Sequence, residues 1–249
     1  MYKPLFTLCF ILIFSFGFSQ DTKIAFTPHY AYQIPMGGIS EYYGNNSNVG
    51  ANFNIKLANN FTFGLEGQFI FGSKYNDLTL MGNIVTSNGF IIGKDQSIEV
   101  PDVQGRGLNC FAEIGKIFPL NKKNINSGIH FKAGLGYMYY SAYVVADPTM
   151  ITQMTSSYAD GYNRLQSGLS FNTFFGYTLY SNDKLLNCSG GLQMTYAGLK
   201  YDGSIDFATN KPYDKSSTSC ILIGPKVCFS LILKTIKKSE PKGDGYFYN

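Results

Sequence analysis

Leu169-Ser170-Phe171-Asn172-Thr173-Phe174-Phe175-Gly176-Tyr177-Thr178-Leu179 changes side at every residue. Leu169, Phe171, Thr173, Phe175, Tyr177 and Leu179 fall on one face of an extended chain, and Ser170, Asn172, Phe174, Gly176 and Thr178 on the other. Successive side chains of a strand point to opposite faces, so a period of two marks a strand with one apolar and one more polar face. The pattern returns at 49–57, where Val49, Ala51, Phe53, Ile55 and Leu57 alternate with Gly50, Asn52, Asn54 and Lys56. It returns again at 61–71, where Thr62, Gly64, Glu66 and Gln68 oppose Phe61, Phe63, Leu65 and Phe69, and at 129–139.

Eight such segments cover roughly 24–34, 48–58, 61–71, 105–118, 127–141, 165–180, 185–201 and 218–234. Their lengths suit tilted membrane strands of about 9–11 residues or slightly more. A water-soluble sandwich also alternates, so the connections decide. Those at 58–60, 119–126 and 181–183 are short, whereas 35–47, 72–104, 142–164 and 202–217 are long. Outer-membrane barrels set short periplasmic turns against long extracellular loops in this order. A soluble sandwich has no reason to place every long loop at one end. The expected fold is all-β, a transmembrane antiparallel up-and-down β-barrel of about eight strands with both ends periplasmic. Within 78–92, Ser87-Asn88-Gly89 is a turn signal, so this stretch is read either as a hairpin above the membrane or as a pair raising the count to ten.

Composition agrees. Aromatic residues make up 16% of the chain and charged residues only 14%, against about 25% charged in an ordinary soluble domain. Residues 5–18 are almost wholly apolar after Lys3, with small Gly17 and Ser19 before Gln20. That is the length and ending of a secretory signal, too short for a spanning helix of about 20 residues. The expected organisation is a cleaved signal peptide at 1–19, an outer-membrane barrel at 20–234 and a flexible, Lys-rich periplasmic tail at 235–249. The expected location is the bacterial outer membrane. The net charge of +4 comes from scattered Lys and argues for no nucleic-acid partner.

Cys110, Cys188, Cys220 and Cys228 follow the signal. They form no CxxC and no metal-ligand spacing. Cys220 and Cys228 lie on one segment, too far apart for a disulfide, and Cys188 has the opposite face parity. Free, buried thiols are expected, with no metal and no cofactor.

Face parity sends His29, Lys56, Glu66, Glu113, His130, Lys132 and Lys226 into the barrel interior. An eight-stranded barrel is about wide enough to be filled by side chains, and charges there pair or face water. Glu113 and Lys132 are equidistant from the turn at Lys122-Lys123 and are expected to face each other across two strands. The group is read as a charged network that plugs the barrel, with a gated ion or proton path as the alternative. Only two His are present, neither lies near the long loops, and no GxSxG-type elbow occurs, so catalytic residues are not expected.

The chain resembles the outer-membrane β-barrel family of Bacteroidota that includes PorT-like proteins. The resemblance rests on Phe18-Ser19-Gln20 at the end of the signal, Ser97-Ile98-Glu99-Val100-Pro101 leading into a middle strand, Gly134-Leu135-Gly136-Tyr137, and the closing stretch 224–233. It implies a small closed barrel with an accessory role in secretion or envelope assembly, and it carries over no catalytic residue. The function expected is therefore non-enzymatic and structural or partner-binding. Contacts are with outer-membrane lipid, and with proteins through the long loops, rich in Tyr, Asn and Met, or through the tail. The alternatives are a narrow pore for small solutes and, last, an outer-membrane enzyme.

Overall fold

The computed structural model describes residues 22–76, 78–94, 96–100, 102–122, 124–145, 151, 162–180, 187–203 and 205–236. Its long strands follow one another in chain order: β1 (Thr22–Met36), β2 (Asn46–Lys56), β3 (Phe61–Lys74), β4 (Asp102–Asn121), β5 (Asn124–Val145), β6 (Gln166–Tyr180), β7 (Asn187–Tyr201) and β8 (Thr218–Phe229), which resumes after Ser230 as Leu231–Ile236. Each is antiparallel to the next. The ring closes because β1 pairs with β8, His29 facing Cys228 and Thr22 facing Ile236. Among the described residues this closure leaves the barrel wall no edge strand, as a sheet crossing lipid requires.

Exposure runs opposite to that of a water-soluble protein. Leu65, Leu135 and Leu169 are 68%, 69% and 78% exposed, whereas Lys56, Asn172 and Gln193 are fully buried. The outward row Phe53, Leu65, Ala112, Leu135 and Phe171 runs across β2 to β6 in direct register. An apolar exterior around a polar lumen, closed on itself, is the architecture of an outer-membrane barrel. Tyr30, Tyr32, Tyr137 and Tyr139 face outward in the halves of their strands nearer the long connections, and Phe63, Phe118 and Phe229 nearer the short turns. These are the two aromatic girdles. The protein is an outer-membrane β-barrel.

Described residues of the first three long connections pack onto the barrel mouth. Gly37–Glu41 and Leu78–Met81 are single 3-10 turns. Ile39, Tyr43, Leu80, Met81 and Ile91 from these connections pack with Met138, Tyr140 and Leu222 of the wall in one apolar cluster. Tyr43 meets Tyr75 and Tyr140 edge-on, at centroid distances of 4.9 and 4.7 Å. Each fully buried apolar side chain is worth about 1.5–3 kcal/mol relative to water, so the plug is held by the same force as a soluble core.

Several expectations need correction. Of the two readings of 78–92, the structure takes the one outside the wall: Val85 bridges Ile91 antiparallel around the turn at Ser87-Asn88-Gly89, Ile91–Ile92 pairs with Ile98–Glu99, and none of these joins the barrel sheet. The ring is eight strands, because Lys74 and Gln104 are already partners and leave no gap for another pair. β4 and β5 are longer than expected, at 20 and 22 residues, since pairing continues up to Asp102 and Val145. Glu113 does not face Lys132. A register shift between Pro119 and Asn121 moves the ladder by two, so Glu113 faces Gly134 and Lys132 faces Gly115. The four thiols are free, but Cys110 is exposed on the outer face and Cys188 partly so, while Cys220 and Cys228 are buried. β8 runs on to Ile236, two residues into the expected tail. The expected signal at 1–19, the tail from 237, the turn at 181–183, and Met150, Met154 and Tyr158 lie outside the described residues.

Candidate functional site: the barrel lumen

Alternation along each strand delivers inward side chains at one level of the barrel, and all eight strands contribute to a single polar network. Glu66 of β3 is its hub. Lys226 of β8 donates to Glu66 Oε1 at 2.5 Å, and Gln68 donates to the same oxygen. Lys132 of β5 lies 3.4 Å from Glu66 Oε2 and 2.8 Å from Glu113 Oε2 of β4. Asn52 of β2 donates to both carboxylates, at 3.2 Å to Glu66 and 2.7 Å to Glu113. Asn172 of β6 donates to Glu113 Oε1 at 2.8 Å and accepts from Gln193 and Thr195 of β7 at 2.9 and 3.2 Å. His29 of β1 completes the ring, its Nε2 3.7 Å from Glu66 Oε1.

Two carboxylates and two ammonium groups balance in charge. Buried ions are tolerated when paired and hydrogen-bonded on their remaining lone pairs, and the amides supply those bonds. Inward glycine makes the space. A Cβ on Gly50 would lie 2.2 Å from the Gly67 carbonyl and 2.7 Å from His29 Nε2.

Of the seven ionisable residues expected inside, the fold brings His29, Glu66, Glu113, Lys132 and Lys226 together. The other two stand nearer the short turns. His130 bridges Thr62 and Thr178, at 3.2 Å from Nε2 and 2.8 Å from Nδ1, with its ring edge-on to Phe174. Lys56 donates to Asn126 Oδ1 at 2.9 Å. A cavity of about 30 Å³, lined by Thr27, His29, His130, Lys132, Ser189 and Ser230 among others, lies between these groups. It has room for about two waters. Among the described residues no three His, Cys, Asp or Glu side chains converge as metal ligands.

Sequence reasoning missed Asn52, Asn172, Gln68 and Gln193, whose inward parity was visible: Asn52 directly faces Glu66, Gln68 bonds Glu66 on its own strand, and Asn172 reaches Glu113 across β5. It also missed Lys23, buried with its ammonium 5.4 Å over the Tyr180 ring, which stands one residue before the segment read as a strand.

Above the plug the long connections are tied together. Arg164 donates to Tyr75 Oη at 3.0 Å and to Asp206 Oδ2 at 3.4 Å. Asn83 donates to Tyr162 Oη at 2.9 Å and to the Phe207 carbonyl at 3.1 Å. Burial alone would lower the Arg164 pKa, but Tyr75 and Asp206 outweigh it and hold the guanidinium above its ordinary range. Tyr213, stacked on Tyr201 at 4.8 Å, is pushed up to about 12 by burial and then by Asp206. Among the described residues, one polar network thus joins side chains of all eight strands, and hydrogen bonds tie the connections to one another above it.

The sequence matches no protein-family model and no curated protein. Solved structures are similar in shape. Neisserial surface protein A aligns over 86% of this chain and 97% of its own, at 10% identity and TM-score 0.42. Ail, the attachment invasion locus protein of Yersinia pestis, solved with the heparin analogue sucrose octasulfate, aligns over 84% and 99%, at 9% identity and TM-score 0.39. The outer membrane protein OprG from Pseudomonas aeruginosa aligns over 86% and 95%, at 10% identity and TM-score 0.35.

Proposed function

We propose that this protein is a closed, non-enzymatic outer-membrane barrel whose extracellular cap binds a protein partner, as an accessory of secretion or envelope assembly. The observation that carries this reading is the double occupation of the lumen. The Glu66 network crosses it at mid-height, and the apolar cluster around Tyr43, Leu80 and Tyr140 fills the mouth above. A barrel built to pass solute keeps a polar, water-filled interior, and an apolar plug works against that. The cap offers a contact surface instead. Ile92 and Ile98, paired with each other, and nearby Val100 are 62%, 69% and 71% exposed on the second long connection, and exposed apolar clusters of this kind mark interaction sites. The resemblance to PorT-like barrels supports the envelope role.

The test is a mild-detergent pull-down of the tagged protein from outer membranes, read by mass spectrometry. A stoichiometric partner that is lost when Ile92, Ile98 and Val100 are changed to Ser is the expected result. No partner at any detergent strength sinks the reading. The cavity beside Lys132 favours a second reading, a narrow path for protons or small ions, which predicts discrete current steps in a planar bilayer.

A further inference from the structure

On the outer wall, at the end nearer the long connections, an arginine stands over a dent in the apolar belt. β3, β4 and β5 put Phe69, Leu108 and Tyr139 in one direct row. One residue pair higher on the same face, Arg106 is opposite Ser141. Ser141 is small, and between Phe69, Tyr139, Leu165 and Arg106 a groove of about 180 Å³ opens toward the lipid. The guanidinium is not loose above it: its carbon sits 3.8 Å from the centre of the Tyr143 ring, so the group is held over the groove's upper end. Lys74 follows, exposed and opposite Gln104 on the next outward position of β4. Asp102, on the same face, accepts a hydrogen bond from Gln104 at 2.7 Å.

A charge on the lipid face costs about 2–4 kcal/mol at the bilayer midplane and about 0–1 near the interface. Arg106, above the tyrosine girdle, therefore marks the headgroup level of the outer leaflet. We infer that this groove binds a phosphate-bearing anionic lipid, with one acyl chain in the dent over Ser141 and the phosphate on Arg106, supported by Lys74. The occupant follows from position, since the groove is continuous with the belt that bilayer lipid covers. Its charge follows from complementarity, since a guanidinium matches a phosphate in two parallel hydrogen bonds. The inference is independent of the partner-binding reading.

Native mass spectrometry of the intact purified barrel in mild detergent tests it, with dioleoyl phosphatidylglycerol, dioleoyl phosphatidylcholine and inorganic phosphate as probes. Retention of one phosphatidylglycerol in preference to the zwitterionic lipid is expected. Arg106→Gln weakens that retention about tenfold, the scale of a lost charge-assisted hydrogen bond. Ser141→Phe fills the dent and removes the lipid while leaving the arginine in place. Lys200→Gln, exposed on β7, changes nothing, and cold-gel mobility shows that each variant is folded. Equal retention by wild type and Arg106→Gln overturns the site, as does equal retention of the zwitterionic lipid. Displacement of the lipid by inorganic phosphate also overturns it, because the acyl chain would then contribute nothing.

Discussion

Lys226 Nζ lies 2.5 Å from Glu66 Oε1, although the two residues are 160 positions apart and stand on β8 and β3, which are not neighbours in the wall. The bond spans the lumen and exists only once β1 and β8 have closed the ring. It is thus a property of the finished barrel and of its strand number. A wider ring would leave both ions buried without each other.

Glu66→Gln should cost roughly 3–5 kcal/mol, the range for removing one partner of a buried pair, because Lys226 and Lys132 lose the carboxylate they share. Glu66→Leu with Lys226→Met should restore most of that loss, since a well-packed apolar pair of similar volume carries no desolvation penalty. Urea unfolding in detergent, followed by tryptic protection, reads both. A double variant as unstable as Glu66→Gln alone would show that the charges do more than fill space.

Gly50→Ala should destabilise by about 1–3 kcal/mol, the usual range for overpacking. Its Cβ meets the Gly67 carbonyl and the His29 ring, whereas a Cβ on outward-facing Gly67 meets nothing within 4 Å. Gly67→Ala is therefore expected to be neutral in the same unfolding assay. Equal effects would mean that the inward glycines are not spacers for the network.

Cys220 should resist a water-soluble maleimide in the folded protein, since it is fully buried within the apolar plug. Deleting 78–92 removes Leu80, Met81 and Ile91 from that plug and should make Cys220 reactive within minutes. Peptide mass mapping reports the labelled site. Rapid labelling of Cys220 in the intact protein would show that the mouth is open to water.

Tyr213 should titrate near 12 rather than near 10, read as tyrosinate absorbance lost in Tyr213→Phe. Its folded pKa is raised, so the folded cap holds the phenolic proton more tightly than the unfolded chain does. The stabilising contribution is complete below about pH 10 and disappears as pH rises through about 12. Protease sensitivity of the 202–217 connection should therefore increase across that window in wild type, and not in Tyr213→Phe.

The strand ranges were legible because alternation is written residue by residue. The segment read at 61–71 is β3 at Phe61–Lys74, and that at 165–180 is β6 at Gln166–Tyr180. The Glu113–Lys132 contact shows where such reading stops. Counting from the turn pairs them directly, yet the shift beside Pro119 makes them diagonal neighbours that still meet at 2.8 Å. The shift puts two extra residues on β5, an even number that keeps the alternation in phase on both sides, so nothing in the alternation announces it. Asn52 was equally illegible as a site residue, because an inward amide looks the same whether or not two carboxylates lie within reach.

The sequence by itself determined the wall: which residues are strands, which side of each strand faces lipid, and the order of short turns and long loops. These follow from a period of two and from local turn chemistry, and they need no knowledge of distant residues. Only the tertiary structure decided the interior. Glu66 meets Lys226, and the loops drop Tyr43 and Leu80 into the mouth, because ring closure sets the width of the lumen. That width fixes which side chains from opposite strands can touch.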